Sequence, residues 1–270
     1  MLTKLRDLLG FTRHSYYLMS AFLLTCLLIV YIWWPLVEEY FALMQPYLNS
    51  GQYPWYLFVD WLLVGIFLFM SLSIMARADL RADSLIVFVG LCGGLVIESW
   101  GTQTNLWHYY TAERPPLWII PAWPIASLSI DRITRLLDHL LPKRDSLCPW
   151  PYWLTFGGFY ALMLWFVAPT FDKPYTLLAL LICALMILAP RNQRMALLTF
   201  AAGAGLGYFL ELWGTTRECW TYYTYETPPL FAVLAHGMAA VAFWRTGLLV
   251  KQAWQAFGGF WQNQRSVVKP

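Results

Sequence analysis

Residues 98–117 read ESWGTQTNLWHYYTAERPPL and residues 211–230 read ELWGTTRECWTYYTYETPPL. The two stretches agree at 12 of 20 positions without a gap, where composition alone would give roughly one or two. A stretch of the chain is therefore duplicated, and one fixed offset carries Glu98 onto Glu211 and each later position of the first copy onto its mate. The shared pattern is E-x-W-G-T-x4-W-x-Y-Y-T-x-E-x-P-P-L, and the offset continues through Ala122/Ala235, Ala126/Ala239 and Arg132/Arg245. Each copy lies between apolar segments, so the repeat organises the chain around it.

Of 270 residues, 12% are charged and 59% hydrophobic. A soluble domain carries about 25% charge, so a soluble globular domain is excluded. With a net charge of +3 and apolar residues in every long segment, a nucleic-acid-binding domain and a disordered chain are excluded as well. Charged and Pro-rich breaks divide the sequence into eight apolar segments, 15–37, 55–75, 84–100, 117–137, 151–171, 175–190, 195–213 and 229–250. The fourth is interrupted by Pro121 and Pro124, with Asp131 and Arg132 at its far end, and is open to a re-entrant reading. Asp131 and Arg135, at i,i+4, read as a local ion pair.

The charge distribution orients these segments. With a cytoplasmic N-terminus, 15 of the 18 Lys and Arg residues fall on the inner side, leaving Arg114, Lys173 and Arg217 outside. The expectation is an all-α polytopic membrane protein of about eight transmembrane helices, built as a parallel 4+4 internal repeat with both termini cytoplasmic. It comprises a cytoplasmic segment 1–14, a first four-helix repeat 15–137, a cytoplasmic linker 138–150, a second repeat 151–250 and an interfacial or disordered tail 251–270. The first apolar segment follows Lys4, Arg6 and Arg13 without a cleavage site and reads as a retained helix. The expected location is the bacterial cytoplasmic (inner) membrane.

Both copies of the repeat then fall on the non-cytoplasmic side and should face one another. Gly101 and Gly214 suit helix C-termini, and the two Pro-Pro pairs suit the starts of the following helices. Trp107, Tyr109 and Tyr110, with Trp220, Tyr222 and Tyr223, would form an aromatic lid, and Trp100 and Trp213 flank it. Ordinary interfacial anchoring accounts for much of such a lid. It does not account for the acid that opens each copy.

Glu98 lies 15 residues beyond Asp83, and Glu211 lies 17 beyond Arg194, so at 1.5 Å per residue both stand about 22–26 Å from the inner boundary. Asp60 falls at a similar depth, which gathers three carboxyls into the outer third of the membrane. Buried acids are costly there and should face the interior or water. They are candidate proton donors or acceptors, or else accept bonds from their own loops or pair with Arg114 and Arg217. His236 stands where the first half has Trp123, a titratable break in symmetry. The five cysteines show no metal-binding spacing, and no hydrolase, Walker, zinc-protease or dinucleotide motif is present. No metal and no cofactor is expected.

The segment IESWGTQTNLWHYYTAERPPLWIIPAWPIA resembles the integral membrane proteins of carotenoid biosynthesis that include the carotenoid hydratases. Glu98, Gly101, Tyr109, Tyr110, Pro121 and Trp123 fill the positions of that family's acid, glycine, aromatic turn, proline and Trp-bearing helix, and Glu211, Gly214, Tyr222 and Tyr223 repeat the first part. The resemblance implies addition of water to the terminal double bond of a long isoprenoid, with no metal or redox cofactor. Glu98, Glu211, Asp60 and His236 would then be the catalytic candidates. Trp100, Trp107, Tyr109, Tyr110, Trp123, Trp213, Trp220, Tyr222 and Tyr223 would bind the substrate. Two other readings stay open: a non-catalytic membrane subunit that docks a membrane or periplasmic protein through the duplicated loops, and a transporter of a small solute or lipid. Membrane lipid is an expected partner in all three, and nucleic acid in none.

Overall fold

Short polar residues set where the apolar segments begin to coil. The computed structural model describes residues 10–51, 54–143 and 149–267, with side chains to residue 256 apart from Trp55. Thr12 accepts from the backbone of His14 and forms a capping box with Ser15, which starts α1 (Arg13–Ile32). The chain breaks at Trp33 and restarts, with proline in the first turn, as α2 (Trp34–Asn49). The apolar pattern ran α1 into this second helix, which buries none of its residues. A 3-10 turn at Trp55–Phe58 leads to Asp60, which accepts from the Leu63 N–H and caps α3 (Trp61–Met75). Asp60 therefore sits at a helix N-terminus and not within a span beginning at residue 55.

Asp79 caps α4 (Leu80–Gln103), and its counterpart Asn192 caps α8 (Gln193–Thr216) in the same way. The repeat offset carries both bounds of α4 onto those of α8, and both bounds of α3 onto those of α7 (Pro174–Leu188). The fourth apolar segment coils only from Ala122, as α5 (Ala122–Leu140). Pro121 stands at its cap and Pro124 in its first turn, where a missing N–H costs nothing, so these prolines start the helix and do not break it. The remaining helices are α6 (Pro149–Val167) and α9 (Leu230–Val267).

Five of these helices are long and apolar enough to cross a membrane: α1, α4, α6 with its extension to Thr170, α8, and α9 as far as Ala256. The shorter α3 and α7 are apolar too, whereas α5 falls outside both groups. The chain is thus a helical membrane protein. Its last helix continues through the expected tail, with Trp254 exposed. The expectations for residues 1–9 and 144–148, with Cys148, and for the side chains of Phe257, Phe260 and Trp261 lie outside the described residues. The four described cysteines are free thiols.

Four helices form the centre. α4 packs on α5 and α8 on α9, while α8 crosses to α5 and α9 to α4. Small residues set these approaches: a Cβ on Gly90 would lie 3.1 Å from the Pro124 backbone, and one on its counterpart Gly203 would lie 2.9 Å from Gly237. At the end of the bundle away from the repeat, Arg132 is buried and pairs with Asp83 at 2.7 Å, while Arg135 bonds Asp131 at 2.9 Å as its spacing indicates.

Beyond the C-terminal ends of α4 and α8, Asn105 and Glu218 adopt positive φ and turn the chain into two short strands, β1 (Trp107–Tyr109) and β2 (Trp220–Tyr222). They pair with each other, antiparallel, in the register Trp107↔Tyr222, His108↔Thr221 and Tyr109↔Trp220. His108 and Thr221, equivalent positions of the two copies, face one another, so a local twofold axis passes between them. Alternation along each strand buries Trp107, Tyr109, Trp220 and Tyr222. The expected lid is thus a plug whose rings point into the protein.

Gly101 and Gly214 lie within the last turns of α4 and α8, not beyond them. Their role is closeness: a Cβ would stand 1.8 Å from the Trp107 ring at Gly101 and 2.0 Å from the Trp220 ring at Gly214. Gly101→Ala and Gly214→Ala are each expected to cost about 1–3 kcal/mol or more by overpacking. Gly157→Ala and Gly205→Ala, with no atom within 4 Å of the added Cβ, should leave the unfolding midpoint in lipid nanodiscs unchanged or slightly raised.

Candidate functional site

The inward rings converge on the two acids. Glu98, 5% exposed, accepts from Trp107 Nε1 at 3.1 Å, Tyr109 Oη at 2.8 Å and Trp123 Nε1 at 3.0 Å. Glu211, 3% exposed, meets Trp220 Nε1 at 2.9 Å, Tyr222 Oη at 3.0 Å and His236 Nε2 at 2.9 Å. Each contact has its counterpart at the equivalent position of the other half, and the third donor is where the halves differ. A carboxyl in apolar surroundings is costly unless hydrogen-bonded, and three donors to each offset part of that cost. Burial and the adjacent Glu98 carboxyl push the Tyr109 hydroxyl well above the usual phenol range, as burial and Glu211 do for Tyr222, so both phenols stay donors.

The two cages touch. Across the local axis the Trp123 and His236 rings stack, with centroids 5.6 Å apart and planes inclined by 18°. Trp107 lies 5.7 Å from Tyr222, and Tyr109 lies 5.9 Å from Trp220, between centroids. Gly94 and Gly207 make room for the stack: a Cβ would fall 2.3 Å from Trp123 in one half and 2.5 Å from His236 in the other.

Below the plug, Glu98, Glu211 and His236 share the wall of one cavity of about 990 Å³. Most of the remaining wall is apolar. Trp100, Trp107, Tyr109, Trp123, Trp213, Trp220 and Tyr222 line it too. Tyr110, 57% exposed, does not, nor does Tyr223, which donates to the Phe166 carbonyl at 2.6 Å. Asp60 is also absent from the wall. It accepts from Arg217 Nε and from Trp213 Nε1, both at 2.9 Å, near the protein surface. The expected gathering of three carboxyls is therefore corrected to two, and neither Arg114 nor Arg217 pairs with them.

The cavity exists because the halves pack the equivalent helices α3 and α7 differently. On one side α3 lies against α5 and α8, filling the space with Ile66 and Met70. On the other, α7 leans on α6, held by Tyr152 Oη on the Ile187 carbonyl at 2.9 Å, and the equivalent space beside α4 stays open. The end of that opening nearest the plug is spanned by Trp100 Nε1 donating to Thr176 Oγ1 at 3.1 Å. The counterpart Trp213 makes the matching bond to the end of α3, through Asp60. Exposed apolar residues flank the opening, Phe88 and Val96 on α4 and Tyr175 and Leu178 on α7. Its rim is therefore apolar.

Sequence reasoning missed the α7 wall and the identity of the carboxyls' donors. A signal was present for the donors: in both copies an indole stands nine residues, and a phenol eleven residues, after the acid. Among the described residues no group of His, Cys, Asp and Glu could hold a metal ion.

Trp107→Phe and Trp220→Phe each leave a buried carboxylate one donor short, and the expected loss is about 1–3 kcal/mol apiece. Glu98→Gln should cost more than either, because its amide nitrogen must face an indole N–H, that of Trp107 or that of Trp123, which can only donate. Unfolding midpoints of the three variants in one lipid check this order. Comparison of the chain with protein-family models, with curated proteins and with solved structures gives no match.

Proposed function

We propose that the chain binds and acts on a long lipophilic molecule of isoprenoid or carotenoid type, admitted from the bilayer between α4 and α7. The observation that carries this reading is the apolar cavity, open through an apolar rim, with both carboxyls on its wall. Within the same proposal the chain has eight spans in a parallel 4+4 repeat, with both termini cytoplasmic, in a bacterial inner membrane. The matched bounds of α3 with α7 and of α4 with α8 support the repeat, and the Lys and Arg distribution supports the orientation.

The reaction proposed is hydration of a terminal alkene. His236 beside Glu211 is the one pair in the two cages through which a proton can pass from ring to carboxyl, since Trp123 cannot titrate. A proton delivered from Glu211 to the alkene leaves a tertiary cation, and the π faces of Trp107 and Trp220 suit such a charge. Water adds to the cation and yields its proton to Glu98; loss of that proton from Glu98 and reprotonation of Glu211 through His236 restore the starting state, so the sum is alkene plus water giving alcohol, with no oxidant or reductant. Asp60, outside the cavity, is given no part in it.

One observation favours a second reading. Two of the three donors on each acid come from that acid's own loop, and such bonds would hold the plug in shape whatever lay beneath it. On that reading the protein is a scaffold for a membrane or periplasmic partner.

Expression in a lycopene-accumulating host separates the two. Pigment carrying one added water, lost on Glu211→Gln and on His236→Phe with folded protein retained, is the expected result. Unchanged pigment beside folded wild-type protein would sink the hydratase reading. For topology, a reporter active only in the cytoplasm and fused after Pro270 should be active, and the same reporter placed in the loop at Glu113 should be silent.

A further inference from the structure

The two cages leave an unequal supply of hydrogen-bonding groups. Six donors face the two carboxyls, and each is spent on a carboxyl: Trp107, Tyr109 and Trp123 on Glu98, and Trp220, Tyr222 and His236 on Glu211. The nearby indoles are spent as well, Trp100 on Thr176 and Trp213 on Asp60. A carboxylate has about four lone-pair sites, and three on each are filled. With His236 neutral and donating through Nε2, its Nδ1 is also an acceptor. What the two carboxyl cages offer a ligand is therefore acceptors, with no donor to spare among their own groups. Ser99, Gln103 and Thr246, which also line the cavity, are not among the carboxyls' partners.

We infer that the cavity receives an apolar chain ending in a hydroxyl, whose O–H donates to the vacant lone pair of Glu98 or Glu211. This rests on the lipophile-binding reading above and adds the chemistry of the head group. Ethers, esters and ketones of the same length would set a lone pair against a carboxylate, and a carboxylic acid or phosphate would add a like charge. The negative wall would attract an ammonium. However, the opening runs along α4 from Phe88 to Gln103, which at 1.5 Å per residue is about 22 Å of a ~30 Å hydrocarbon core. A head group arriving through it must pass hydrocarbon, where a charged group is far costlier than a hydroxyl. A neutral donor satisfies both the wall and the route.

The test compares head groups on one chain and needs no variant. Wild-type protein in nanodiscs is titrated with geranylgeraniol, its methyl ether, geranylgeranylamine and the parent hydrocarbon, and binding is followed by tryptophan fluorescence. A hydrogen bond to a charged acceptor corresponds to about a tenfold or greater preference. The alcohol should therefore bind at least about tenfold more tightly than the ether or the hydrocarbon. Equal affinity for alcohol and ether would overturn the head-group inference and leave lipophile binding standing. Tighter binding of the amine would overturn the neutral head in favour of a cation. Failure of all four to bind would overturn the lipophile-binding reading itself. In Glu98→Gln and Glu211→Gln proteins that fold, the preference for alcohol over ether should shrink.

Discussion

A carboxyl placed among apolar helices must find hydrogen-bond partners for its oxygens, and much of this fold can be traced to meeting that condition twice. The bond from Trp107 to Glu98 requires a strand that turns back over the end of α4, and the ring so placed lies flat against the last turn of that helix. Only glycine fits under it. Tyr109, two residues on, points the same way because strand side chains alternate, and supplies the second donor. The third comes from the next helix, which must approach closely at Gly94. Repeating the solution at Glu211 brings the two strands side by side, and pairing between them satisfies the backbone that each loop would otherwise leave bare.

Much of this was legible in the sequence, for reasons that differ by residue. The repeat could be read because acid, glycine, indole and phenol keep their spacing, and that spacing is what the bonding demands. His236 could be matched to Trp123 by counting. The inward turn of the rings could not be read: three residues are too few to show alternation, and the partner strand lies in the other half of the chain. Asp60 misled because depth was counted along a helix that starts only at Trp61. The break at Trp33 leaves no mark in the pattern because the apolar run continues across it, and Pro35 falls in the first turn of α2, where it marks a start and not a stop.

The difference between α3 and α7 was hidden for another reason. Both are apolar on every side, so neither pattern says which neighbour it will choose. Packing decides: Ser73 reaches Ser129 of α5 at 3.0 Å, whereas Tyr152 and Tyr160 of α6 draw α7 toward themselves. Two nearly equal halves thereby acquire one filled and one open flank. The substitution of histidine for tryptophan at one of two stacked positions adds a chemical difference to the geometric one.

The strand pair also bears on the order of assembly. β1 finds its partner only in β2, and the Tyr110 N–H bonds Cys219 just as the Tyr223 N–H bonds Leu106. During synthesis the first half emerges before any of the second exists. Until residues 219–223 arrive, the first loop holds backbone groups that lack their final partners and an acid roofed only by its own rings. The early half is thus left waiting with one unpaired edge, and the late half, made after it, brings the strand that matches it.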